Sequence, residues 1–119
     1  MSKTTLTAGI SDRIDPVTFE VLRNSFEYAC TRMATIMQRT SFSPILADVL
    51  DFSNAVYDAD LRLLAQAANC PVHLAAMQYS ADAAIKRFPK ETLKPGDVIA
   101  LNDHYQGGTH TNDITFTMT

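Results

Sequence analysis

Residues 15–40 read DPVTFEVLRNSFEYACTRMATIMQRT, and the fold is read outward from this stretch. Asp15 suits an N-cap, because its carboxylate accepts from the free N–H groups of a first helical turn. Pro16 has φ preset for the first helical position, where no donor is needed. Phe19, Leu22, Phe26, Ala29, Met33 and Ile36 then recur at spacings of three and four, the period of an amphipathic helix. Ser41, Ser43 and Pro44 stop the pattern, so the spacing predicts one long helix ending near Thr40. Such a stripe belongs to a core or a subunit contact and not to catalysis. Before it, residues 1–14 are polar and carry Gly9 and Ser11, which reads as a flexible N-terminal arm.

Downstream the period changes. Ala55-Val56-Tyr57 and Leu61–Ala65 flank Asp58-Ala59-Asp60, the composition of a β-hairpin turn. Cys70-Pro71 opens a second helix with Leu74, Met77, Ala81, Ile85 and Phe88 on one face. Lys86 and Arg87 fall in its last turn, where cations suit the helix dipole, and Pro89 closes it. Lys94-Pro95-Gly96-Asp97 is a turn, and Val98-Ile99-Ala100-Leu101 is a short apolar strand. After a polar loop, residues 114–119 alternate with period two. Ile114, Phe116 and Met118 are expected to face a core and the threonines the other side. The class is therefore α+β: a long N-terminal helix, a β-hairpin, a second helix, then strands flanking a loop. The last strand pattern runs to Thr119 without a stop signal. Residues 15–119 are accordingly expected to be a truncated amino-terminal segment of a larger, multi-domain fold.

Composition narrows the function. The 119 residues suffice for one domain, and 19% charged residues is low for a chain whose whole exterior meets water. The net charge of −3 offers no basic field, so nucleic acid is not an expected partner. No apolar run reaches the roughly 20 residues of a membrane span. Lys3 is followed by Thr4-Thr5-Leu6-Thr7 and no apolar signal core, so a cytoplasmic location is expected. Cys30 and Cys70 stand apart, in no Cys-x-x-Cys pair, and are expected to be buried thiols.

The chemistry is concentrated in residues 102–113, Asn-Asp-His-Tyr-Gln-Gly-Gly-Thr-His-Thr-Asn-Asp. This stretch holds two of the three histidines and two of the four glycines. A polar loop between two strands is where a scaffold presents a site, and imidazole and carboxylate are ligands for Zn, Mn or Fe. His110 and Asp113 would point oppositely in a strand, but a turn through Thr111-Asn112 brings them together. Asp103 or His104 would approach from the other limb. The alternative is a surface turn whose side chains cap their own backbone.

The loop resembles the N-D-P-Y-x-G-G-T-H-x-x-D signature of the hydantoinase B/oxoprolinase family. Asp15-Pro16-Val17, Phe19-Glu20-Val21, Arg39–Ser43, Asp51-Phe52-Ser53, Asp58-Ala59-Asp60, Leu64–Ala67, Pro71–Leu74 and Pro95-Gly96-Asp97 agree with the same family in the same order. The resemblance implies a B-type subunit of an ATP-dependent cyclic-amide hydrolase, acting on hydantoins or 5-oxoproline. It works in a hetero-oligomer with a hydantoinase A-type subunit, which uses ATP to phosphorylate the substrate carbonyl. The B-type subunit then resolves that intermediate at a divalent metal. An ATP-dependent ketone carboxylase subunit shares these motifs, and a non-catalytic structural or assembly fragment is the alternative of another class. Within the hydrolase reading the isolated chain is expected to be inactive.

By position, His110 and Asp113 are the metal ligands the resemblance implies, with a further histidine beyond Thr119. Gly107 and Gly108 would let backbone approach substrate, and Thr109 would orient a ligand. Asp51 and Asp103 are further substrate-binding candidates, the former alternatively a capping carboxylate. His73 is either a proton carrier or a hydrogen-bonded helix-start histidine. Three departures stand out. His104 replaces a usual Pro, adding a candidate catalytic imidazole. Thr111-Asn112 replaces a common Leu-Pro, and Leu61 stands where relatives often carry Gly after the hairpin turn. If that position needs positive φ, Leu costs about 1 kcal/mol or more. There is no Gly-x-x-x-x-Gly-Lys run, so ATP chemistry is assigned to the partner subunit.

Overall fold

The computed structural model describes residues 14–119; the expected arm over residues 1–14 therefore lies, apart from Ile14, outside the described residues. Helix α1 spans Pro16–Thr40 as its sequence predicts. The Asp15 carboxylate accepts from the N–H groups of Val17 and Thr18, both at 3.0 Å. It also accepts from the Thr18 hydroxyl, and this bond is the leading cause holding its pKa below the usual carboxylate value. Ser41 ends the helix, donating its backbone N–H to the Met37 carbonyl. Pro44 then starts a single helical turn, α2 (Pro44–Ala47).

Two strands follow, β1 (Ser53–Tyr57) and β2 (Leu63–Ala68), paired antiparallel with a register shift at Val56/Tyr57. The turn between them is built on Asp58. Its Oδ1 accepts from the N–H groups of Asp60 (2.9 Å) and Arg62 (2.8 Å), and its Oδ2 accepts from the Arg62 guanidinium. Leu61 sits in the left-handed region at φ 59°. The departure from Gly at this position thus carries real strain, about 1–2 kcal/mol for a residue with a Cβ.

Helix α3 (His73–Arg87) is entered through a turn closed by the N–H groups of His73 and Leu74 on the carbonyls of Cys70 and Pro71. The Lys94–Asp97 turn follows, with Gly96 at φ 95°. It leads into β3 (Val98–Leu101), which pairs antiparallel with β4 (Thr115–Met118) in the register Val98↔Met118 to Leu101↔Thr115. The observed α+β order is therefore the predicted one: helix, hairpin, helix, strand, loop, strand.

The core sits where α1 crosses β1 and β2 and where α3 meets both hairpins. Cys30, Phe52, Ala65, Ala81 and Ala84 are its buried apolar residues, with Ser80 beside them. Burial pushes the Cys30 thiol pKa up, so this cysteine behaves as the small hydrophobe the sequence predicts. Cys70 differs from expectation, being only half-buried.

Two faces also differ from the sequence pattern. The covered line of α1 runs Phe26, Cys30, Ala34 and Met37, whereas Phe19, Leu22, Met33 and Ile36 are exposed. Among the described residues that second line lies largely open, so it forms no part of their core. In β4 the expected sidedness is reversed. Phe116 and Met118 lie exposed with Val98 and Ala100, while Thr115 and Thr117 lie with Ile99 and Leu101 on the more covered face. Period two fixes which residues share a face, but the position of α3 decides which face it covers. No helix among the described residues is long and apolar enough to cross a membrane.

Candidate metal centre

The loop from β3 to β4 folds back on itself in two tight turns. The first is a short 3₁₀ turn, His104–Gln106, whose capping carboxylate is Asp103; it accepts from the Tyr105 N–H at 2.9 Å. The second is closed by Asp113. Its Oδ2 accepts from the N–H groups of Thr109 and His110, both at 2.9 Å, and from the Thr109 hydroxyl. One carboxylate oxygen is thus fully occupied in shaping the loop. The other, Oδ1, faces His110 Nδ1 at 3.7 Å. Partial burial alone would raise the Asp113 pKa. The Thr109 hydroxyl, the two N–H donors and attraction to His110 outweigh it, so the carboxyl titrates below its ordinary value.

The glycines hold the loop against the helix. Gly107, at φ 101°, lies so close to α3 that a Cβ built there would stand 2.5 Å from the Ser80 nitrogen and 2.9 Å from the Ala76 carbonyl oxygen. A Cβ on Gly108 would stand 2.8 Å from the His104 Cα. Both are positions of close backbone approach, within the chain itself.

This docking sets the loop beside the start of α3. One ring nitrogen of His73, one of His110 and one Asp113 carboxylate oxygen lie within 4.8 Å of one another. His73 is the covered member, its side chain 14% exposed against 63% for His110. Ser53, at the first position of β1, fixes the ring. Its hydroxyl donates to the Cys70 carbonyl (3.2 Å) and shares a hydrogen bond with His73 Nδ1 (3.4 Å). On the other flank, Asp51 Oδ1 stands 3.7 Å from Nε2. A second trio, Asp51, Cys70 and His73, also has its donor atoms within 4.8 Å of one another.

The structure therefore brings His73 together with His110 and Asp113, and places Thr109 behind Asp113. It also places Asp51 beside His73, in a separate trio. Asp103 and the exposed His104, whose ring stacks on Tyr105 at 4.0 Å, belong to the other limb and to neither trio. Ser53 and Cys70 were not among the residues singled out as a site. Ser53 carried no signal of its own, whereas Cys70-Pro71-Val72-His73 has the Cys-x-x-His spacing of a metal-binding turn.

Two nitrogens and one carboxylate oxygen are a suitable donor set for Mn, Fe or Zn. The fit is supported by the division of labour at Asp113, with one oxygen anchored and the other turned to the histidine.

Comparison with known proteins places the chain. The model of the hydantoinase B/oxoprolinase family matches residues 15–119. The chain belongs to the hydantoinase B/oxoprolinase family. An uncharacterised protein of Methanocaldococcus jannaschii is 39% identical over 104 residues, covering 86% of this chain and 18% of the relative. The 5-oxoprolinase of Saccharomyces cerevisiae is 37% identical over 114 residues, 96% of this chain and 9% of the relative. The caprolactamase subunit beta of Pseudomonas jessenii is 31% identical over 100 residues, 84% of this chain and 17% of the relative. This hydantoinase B/oxoprolinase chain thus spans less than a fifth of the length of these relatives. No solved structure matches it.

Proposed function

We propose that this segment supplies a divalent-metal site, made by His73, His110 and Asp113, to an enzyme that hydrolyses a cyclic amide of the 5-oxoproline or hydantoin type. The observation that carries the reading is the meeting of His73 with His110 and Asp113. Two similar proteins are named as a 5-oxoprolinase and a caprolactamase subunit, which favours lactams as the substrate class.

When bound, a divalent ion lowers the pKa of a water nucleophile and polarises the developing oxyanion. The chain's own residues prepare that chemistry. Ser53 holds the His73 ring through Nδ1, and Thr109 and the His110 N–H hold Asp113 in its charged form. We assign His73 to the ion rather than to proton transfer, because one of its ring nitrogens lies within 4.8 Å of the donor atoms of His110 and Asp113. His104, exposed on the loop's other limb, is the remaining candidate proton carrier. ATP-driven activation of the carbonyl belongs to an A-type partner subunit. The caprolactamase relative, named as a subunit, supports a hetero-oligomer.

The test uses the full-length protein with its partner subunit. Bound Mn, Fe and Zn are measured, then ATP hydrolysis with lactams and with ketones in turn. His110→Ala and Asp113→Ala are expected to lose the metal, and lactams are expected to stimulate ATP hydrolysis. A metal-free complex of full activity would overturn the site. Stimulation by ketones alone would overturn the substrate class in favour of a carboxylase.

A further inference from the structure

The second trio, Asp51, Cys70 and His73, is outside the site just described except for one shared residue. It comes from two places in the chain. Asp51 lies just before β1, after Leu50 has turned the backbone through φ 59°. Cys70 and His73 sit at either end of the turn into α3, and the His73 N–H donates to the Cys70 carbonyl at 3.2 Å. Ser53 bonds both of its neighbours here, the Cys70 carbonyl and the His73 ring. The thiol and the imidazole, both half-buried, therefore converge from a clamped turn with the more exposed Asp51 carboxylate beside them.

The donor chemistry of the two trios differs. His110 and Asp113 add a nitrogen and an oxygen to His73, a set that accommodates Mn or Fe. Asp51 and Cys70 add an oxygen and a soft sulfur, and thiolate favours Zn. A neutral imidazole offers one lone pair, whichever nitrogen holds the proton, and one lone pair binds one ion.

We propose that Asp51, Cys70 and His73 form a second, zinc-selective site that competes with His110 and Asp113 for His73. Zinc captured at Cys70 withdraws His73 from the first site and releases the ion held there. The inference rests on the metal reading of His110 and Asp113, and it adds a means by which zinc controls occupancy of that site. The exchange balances: the Cys70 S–H bond and the bond from His73 to the first ion break, zinc gains bonds to the Cys70 sulfur, the His73 nitrogen and an Asp51 oxygen, and the thiol proton and the displaced ion pass to solvent.

The experiment loads the full-length protein, with its partner subunit, with Mn(II) and titrates it with Zn(II). Free manganese is followed by its paramagnetic resonance signal. Wild type is expected to release manganese. Cys70→Ser is expected to keep its manganese and to need about 10- to 100-fold more zinc for the same release. Co(II) in place of zinc is expected to give a near-ultraviolet thiolate charge-transfer band in wild type and none in Cys70→Ser. Equal zinc sensitivity of the two proteins would overturn the proposal, because zinc would then be replacing manganese on the same ligands. Manganese and zinc bound together would overturn the competition for His73, and a cobalt band surviving in Cys70→Ser would overturn the thiolate assignment. Failure of the manganese site itself reads differently: wild type would hold no manganese, or His110→Ala would hold as much.

Discussion

Gly107→Ala is the perturbation that most directly probes how the loop reaches the site. The substitution adds one methyl group at φ 101°. Left-handed backbone costs a residue with a Cβ about 1–2 kcal/mol. The methyl would also stand 2.5 Å from the Ser80 nitrogen, 2.6 Å from its hydroxyl and 2.9 Å from the Ala76 carbonyl oxygen. Two of those atoms are helix backbone, and Ser80 is only 1% exposed, so neither can step aside. Overpacking of that kind adds about 1–3 kcal/mol. The sum is about 2–5 kcal/mol.

Gly96 supplies the control. It too has positive φ, at 95°, but a Cβ there meets nothing within 4 Å. Gly96→Ala should cost the strain alone, about 1–2 kcal/mol. Hydrogen exchange followed by mass spectrometry on the full-length protein reads both as faster local opening, at about 1.4 kcal/mol per tenfold. Peptides of the 94–99 turn should exchange roughly 5- to 30-fold faster in Gly96→Ala. Peptides spanning residues 102–113 should exchange roughly 30- to 4,000-fold faster in Gly107→Ala. Because the loop carries His110 and Asp113 to the α3 that carries His73, metal affinity should fall in Gly107→Ala and hold in Gly96→Ala. Equal effects of the two substitutions would refute the claim that close packing on α3 positions the loop.

Three further outcomes follow from the geometry. Thr109→Val removes the hydroxyl that binds Asp113 Oδ2; a hydrogen bond to a charged group contributes about 1.5–3 kcal/mol, and metal affinity should fall about 10- to 100-fold by equilibrium dialysis. Asp113 has a depressed pKa, so its contribution to loop order is complete above the ordinary value of 3.8 and is lost as pH falls through the lower folded value. Pepsin cleavage at Tyr105 of the metal-free protein should therefore rise below that point in wild type, and a wild type as flat as Asp113→Asn would contradict this. Leu61→Asn keeps a residue tolerant of positive φ and should relieve about 1 kcal/mol of strain; a lower thermal midpoint for the variant would show that the Leu side chain contributes more than its backbone costs.

The sequence by itself determined the order of the main elements and several of their ends, though not the short helix at Pro44 or the bounds of the second hairpin strand. Asp15-Pro16 starts α1, Pro44 ends its run, Asp58 organises the hairpin, and Pro95-Gly96 makes the turn before β3, because each acts on backbone within a few residues of itself. The site loop was legible for the same reason: its polar residues are contiguous, and Asp113 reaches back only to Thr109 and His110. The tertiary structure decided what lies across distance. The sequence pattern could pair Phe116 with Met118 on one face of β4, but only the placement of α3 left that face open. Likewise nothing local to His73 announces His110 and Asp113. They meet because Gly107 lets the loop lie against α3 at Ser80, and because Ser53, from another hairpin, holds the imidazole in place beside them. Contacts made through packing depend on the whole arrangement of elements, which no window of sequence contains.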